Sequence, residues 1–263
     1  MKTPQQIAVW LSIISCCLLP GCALRSIYIP VSQNVPLFDS TKALRANLYP
    51  GANHLELQGA VHPTKHFSIA ANINFGTGIS IYDLALGHSV WKGRWRWECF
   101  AGFGYNTNVI YPGSNDPSIF SSRDIDYELR SLYQKYYLQP AIGFTGSMRA
   151  YRINYSFALS TRISALHFNE YLYRTIDKVR TTNPDQPVYV IDKRYLGKML
   201  YTLEPCITNR VARGQLYALL QAQAMIPYSE AIDVRNTKFS PGVLLSIGIG
   251  YELPLGRKKK VWE

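Results

Sequence analysis

The sequence predicts an all-β protein, an up-and-down antiparallel barrel of about ten strands, and three observations carry that expectation. Apolar side chains recur at every second residue through most of the chain, the connections are short on one side and long on the other, and the face opposite the apolar one consists largely of small polar residues. Period-two alternation marks strands with two chemically different faces. A helix would scatter the same set around its axis.

The first strand is expected over 42–49, where Leu44, Ala46 and Leu48 alternate ahead of the turn Pro50-Gly51-Ala52-Asn53. Segments 54–61, 65–75, 79–88, 94–106 and 131–145 follow, with the pattern blurred in 79–88. The clearest case is 151–163. There Tyr151, Ile153, Tyr155, Phe157, Leu159, Thr161 and Ile163 oppose Arg152, Asn154, Ser156, Ala158, Ser160 and Arg162. Segments 196–209 and 213–226 repeat the pattern, and the last strand sets Val243, Leu245, Ile247, Ile249, Tyr251 and Leu253 against Gly242, Leu244, Ser246, Gly248, Gly250 and Glu252. Turns at 62–64, 89–93, 146–148 and 210–212 are short, whereas 107–130, 164–195 and 227–241 are long and all fall on the opposite side.

That asymmetry belongs to outer-membrane barrels, which have short periplasmic turns, long outside loops and an even strand number. Alternation alone fits a soluble lipocalin-like barrel equally well, with apolar groups inside. The polar face separates the two, because residues such as Ser68, Ala70, Asn72 and Asn74 suit a crowded interior better than a water-facing wall. Its charges, Glu56, Arg96, Glu98, Lys135, Arg152, Arg162, Glu204 and Glu252, have mixed signs and are expected to pair in a narrow lumen. Most segments reach the roughly 9 to 11 residues that a tilted strand needs to cross a bilayer. Trp91, Trp95, Tyr105, Tyr133, Tyr195, Tyr201 and Tyr228 lie near strand ends, where interfacial aromatics belong. The echo of Tyr136-x-Leu138-Gln139-Pro140-x-Ile142 in Tyr201-x-Leu203-Glu204-Pro205-x-Ile207 reads as bulges or rim sites, since proline cannot donate to a ladder.

The start of the chain is an address. Lys2 precedes an apolar run from Ile7 to Leu19, too short for a spanning helix and laid out as a secretory signal. Leu19-Pro20-Gly21-Cys22 resembles the bacterial lipobox, which implies removal of residues 1–21 and lipid attachment to Cys22. Ala23-Leu24-Arg25-Ser26 after Cys22 lacks the acidic stretch that resembles a cell-surface export signal in lipoproteins of the Bacteroidota, and that implies an anchor on the periplasmic side. Residues 22–41, with Pro30 and Pro36, read as an extended tether lying against the domain near one mouth; 42–254 is the barrel and 255–263 a basic tail. With Cys16 and Cys17 in the signal and Cys22 lipidated, only Cys99 and Cys206 remain, expected on opposite faces and unbonded. The net charge of +11 in an exported protein points to lipids or polyanionic glycans as partners, and nucleic acid is not expected.

Ser246-x-Gly248-x-x-Tyr251-x-Leu253 resembles the signal read by the outer-membrane barrel assembly machinery, which makes Gly248, Tyr251 and Leu253 a candidate assembly signal. The lipobox, Tyr28-Ile29-Pro30 through Asn34-Val35-Pro36-Leu37-Phe38, Glu56-Leu57-Gln58-Gly59-Ala60 and Leu138-Gln139-Pro140-Ala141-Ile142-Gly143 together resemble the small outer-membrane β-barrel lipoproteins of the Bacteroidota. The resemblance implies fold and location, and no general activity. No phosphate loop, zinc-spaced Cys/His set or Gly-x-Ser-x-Gly elbow is present. His62 and His66 flank a turn, where solvated imidazoles are expected rather than a metal site; His167 with Glu170, expected in the longest loop, lacks a third catalytic member. The expectation is a non-enzymatic, cofactor-free, lipid-anchored outer-membrane barrel with a plugged lumen, its loops 107–130 and 164–195 contacting an envelope protein or glycan. The alternatives are a tethered soluble barrel holding an apolar ligand and an outer-membrane lipid-modifying enzyme.

Overall fold

The computed structural model describes residues 30–36, 42–51, 54–76, 78–110, 125–148, 153–177, 188–228 and 242–255. The expected signal peptide, Cys22, Arg152 and the basic run 257–260 lie outside them, as do 111–124 and 178–187 of the expected loops. The strands are β1 (Ala43–Pro50), β2 (His54–His62), β3 (Phe67–Gly76), β4 (Ile79–Lys92), β5 (Trp95–Ile110), β6 (Ile125–Met148), β7 (Ile153–Asp177), β8 (Val188–Tyr195), β9 (Lys198–Arg213), β10 (Leu216–Tyr228) and β11 (Gly242–Pro254). Each pairs antiparallel with its neighbour, and the ring closes through β1 with β11 and β6 with β7. β8 and β9 pair successively along β7 and are separated only by Leu196 and Gly197, so the closed wall has ten strands. Closure leaves no edge around the wall, which is the condition for crossing a bilayer with strands.

The apolar set faces outward. Phe157 and Leu159 are 39% and 46% exposed, Ile247 and Ile249 44% and 62%, while Ser156, Ser160 and Arg162 on the alternate positions are buried. A soluble carrier would show the reverse, and the lipocalin-like alternative is thereby excluded. Cys99 is exposed on the outside and Cys206 buried within, and neither is bonded.

Several expected boundaries shift. β9 and β10 continue to a turn at Gly214, where φ is +69°, so 210–212 is strand rather than turn. β5, β6 and β7 reach far into the segments expected as loops. Pro140 and Pro205 are not bulges: Leu138 pairs with Ile163 and Ala141 with Ser160, in unbroken register across the proline, and Cys206–Gln223 and Leu203–Ile226 bracket Pro205 in the same way. The ladder loses pairs there without slipping. Among the expected interfacial aromatics, Trp95, Tyr105, Tyr201 and Tyr228 are exposed on the outer face. Trp91 and Tyr133 are not. Trp91 stacks on His62 at 5.7 Å, and Tyr133 is buried against Phe168 at 5.1 Å, because both share the parity of the inward residues on their strands. The side chain of Tyr195 lies outside the described set.

Candidate functional site

The barrel interior is the site that the fold builds, and its most distinctive occupant is the chain's own segment 30–36. The side chains Val31 to Val35 are all buried, and the segment runs inside the barrel instead of lying against a mouth as the sequence suggests. Inward-facing side chains of the wall hold it. Ser32 N–H donates to Glu56 Oε2 (3.1 Å), the Ser32 hydroxyl donates to that of Ser246 (2.9 Å), and Gln58 Nε2 donates to Ser32 C=O (2.9 Å). Gln33 Nε2 donates to the Glu204 carbonyl, Gln33 Oε1 accepts from Ser160 (2.8 Å), and Gln33 C=O accepts from Gln221 Nε2 (2.7 Å). Asn34 Nδ2 donates to Gly59 C=O (3.0 Å) and Asn72 Oδ1 (3.1 Å), and Gln139 Nε2 donates to Asn34 C=O (2.9 Å). Backbone groups of a non-regular segment thus receive from side chains the bonds a strand would receive from its neighbours.

Around this segment the charges on the polar face balance among the described residues. Arg45, Arg96, Lys135, Arg162 and Arg210 are matched one for one by Glu56, Asp83, Glu98, Glu204 and Glu252. Lys135 Nζ lies 2.6 Å from Asp83 Oδ2, Glu252 bridges Arg45 and Arg210, and Arg162 stands 4.0 Å from Glu204. The net charge of +11 therefore resides outside this set. Close approach of the interior groups depends on absent side chains: a Cβ at Gly104 would fall 2.0 Å from Asp83 Oδ1, and one at Gly248 2.6 Å from the Tyr49 ring.

The repeated Leu-Gln/Glu-Pro segments converge on this site. The register sets Pro140 and Pro205 on either side of Thr161, and one row inward Gln139 and Glu204 flank Arg162. Arg162 Nε donates to Gln139 Oε1 at 3.0 Å, and the same Gln139 and Glu204 bond Asn34 and Gln33. The echo is thus part of the device that seats the interior segment.

No protein-family model and no curated protein matches the chain. Among solved structures it is similar to OmpT, an outer membrane protein of Vibrio cholerae folded in vitro. Identity is 8%, 81% of this chain and 96% of that chain are covered, and the TM-score is 0.20. So distant a likeness says nothing about the site, and the barrel assignment stands on the strand pairing.

The other residues singled out by sequence separate. Gly248 faces inward, whereas Tyr251 and Leu253 are exposed on the outer face of β11. His62 is buried at the turn-side rim with Nδ1 2.8 Å from Ser68 Oγ, while His66 is exposed and stacks on His88 at 5.7 Å. His167 and Glu170 lie in strand β7 rather than a loop. A register shift between Leu132 and Tyr133 skips Asn169, so that His167 pairs with Gln134 and Glu170 with Leu132 on the outward parity of β6. Glu170 pairs with Arg194 at 3.4 Å near the surface, a contact worth about 0–1 kcal/mol. Among the described residues no cluster of His, Cys, Asp and Glu is arranged to hold a metal. Sequence reasoning missed Arg45, Asp83 and Arg210: the alternation around Asp83 is blurred, and Arg210 falls in the segment read as a turn.

Proposed function

We propose that this is a non-enzymatic, lipid-anchored outer-membrane barrel with a closed lumen, whose strands beyond the loop-side rim engage an envelope protein or a glycan. The observation that carries the reading is the seating of 30–36, whose Ser32, Gln33 and Asn34 bond inward-facing groups on most of the wall's strands. A conducting channel needs a continuous wet path, and this segment stands in it. The recognition role is supported by β6, β7 and β8, whose mutual pairing continues through Asp126–Ile176 and Arg174–Asp192, past the end of β5. Lipidation rests on the sequence Leu19 to Cys22. On the turn side, exposed Lys42, Lys65, Lys92, Arg94 and Arg213 form a basic rim suited to anionic head groups.

The test is conductance. The purified full chain in planar bilayers is expected to stay silent, and steady porin-like steps would contradict the proposal. Labelled palmitate is expected in the wild type and absent from Cys22→Ala.

A further inference from the structure

We infer that the chain threads its own barrel from the loop side to the turn side, so that everything before Pro30, including the candidate lipid site Cys22, leaves on the loop side of the membrane. The argument is positional. Ser32 bonds Glu56 and Ser246, which lie in the loop-side halves of β2 (His54–His62) and β11 (Gly242–Pro254). Val35 and Pro36 sit in a small cavity with Arg45, Arg210 and Tyr217, which belong to the turn-side ends of β1, β9 and β10. The segment therefore descends from loop side to turn side as residue number rises. Seven positions after Pro36 the chain enters β1 at Ala43, on the turn-side rim, as it must.

An even strand number puts both ends of the barrel wall on the turn side, and from that count alone the anchor is expected there too. The count does not include a segment that doubles back through the lumen. Reach permits the exit: Cys22 to Ile29 spans up to roughly 3.3–3.6 Å per residue when extended, enough to carry Cys22 beyond the level of Ser32 and past the rim. An acyl chain on Cys22 then inserts into the outer leaflet, and the barrel has closed around its own tether during assembly.

The inference rests on the reading of an outer-membrane barrel with its long loops outside, and the experiment separates the two. An epitope is inserted between Ala23 and Leu24 in the full chain, and in a second version between Thr64 and Lys65 in the β2–β3 turn; antibody binding is measured on intact and on permeabilised cells. Threading predicts that the first tag is bound on intact cells and the second only after permeabilisation. If both are bound only after permeabilisation, threading fails and the barrel orientation survives. If the turn tag is bound on intact cells, the orientation itself is wrong. The untagged chain supplies a second readout: trypsin on intact cells is expected to cut after Arg25 and leave a barrel beginning at Ser26. A Ser26 terminus appearing only after permeabilisation overturns threading.

Discussion

An ammonium and a carboxylate with almost no exposure to water hold each other in place at a cost, and Lys135 with Asp83 is the clearest case in this lumen. Removing one partner of such a pair leaves a buried charge uncompensated, at about 3–5 kcal/mol, while replacing both is far milder. Asp83→Asn is therefore expected to unfold in urea well before the wild type, and Asp83→Asn with Lys135→Met to recover most of the loss. Equal transitions for the single and double variants would show that the pair does not matter. Gly248 tests a different contact. A methyl group there meets the Tyr49 ring, and overpacking of this kind costs about 1–3 kcal/mol. Tyr251 projects outward, so Tyr251→Ala is expected to lower barrel yield in cells but not refolding in detergent, whereas Gly248→Ala lowers both. If Tyr251→Ala refolds as poorly as Gly248→Ala, its role is packing rather than assembly.

At the scale of elements, the Leu-Gln/Glu-Pro echo shows how a strand sacrifices ladder bonds and keeps its register. Pro205→Ala restores a donor at an outward position and is expected to change stability by under about 1 kcal/mol. Gln139→Ala strips partners from both Asn34 C=O and Arg162, and at about 1–3 kcal/mol it should loosen the interior segment more than the proline change does. Urea titration of the refolded barrels ranks the two, and the reverse order would refute this role for the echo. The strands and their faces were legible because alternation survives in residues such as Phe157, Leu159, Ile247 and Ile249. The strand ends were harder. Ile125, Tyr127 and Leu129 alternate with Asp126, Glu128 and Arg130, but the alternation falls inside a stretch, 107–130, whose length made it read as a loop. The interior segment was half legible: its apolar residues and prolines called for an extended chain against the domain, but nothing in Ser32, Gln33 and Asn34 names their partners, and only three-dimensional pairing reveals Glu56, Gln139, Ser160 and Gln221.

For the whole molecule, the wall's exterior is apolar, and among the described residues the interior charges balance and the turn-side rim is basic. These features place the barrel in a membrane, and the account turns on what fills it. The Ser32 and Ser246 hydroxyls are 2.9 Å apart although they are 214 positions apart in sequence. Ser32→Cys with Ser246→Cys, made with Cys99→Ser and Cys206→Ser, is the direct test. Peptide mapping of the protein from cells is predicted to find the two engineered cysteines joined by a disulfide, in a barrel that still folds. A folded barrel whose two cysteines stay reduced after mild oxidation would show that the segment does not lie in the lumen.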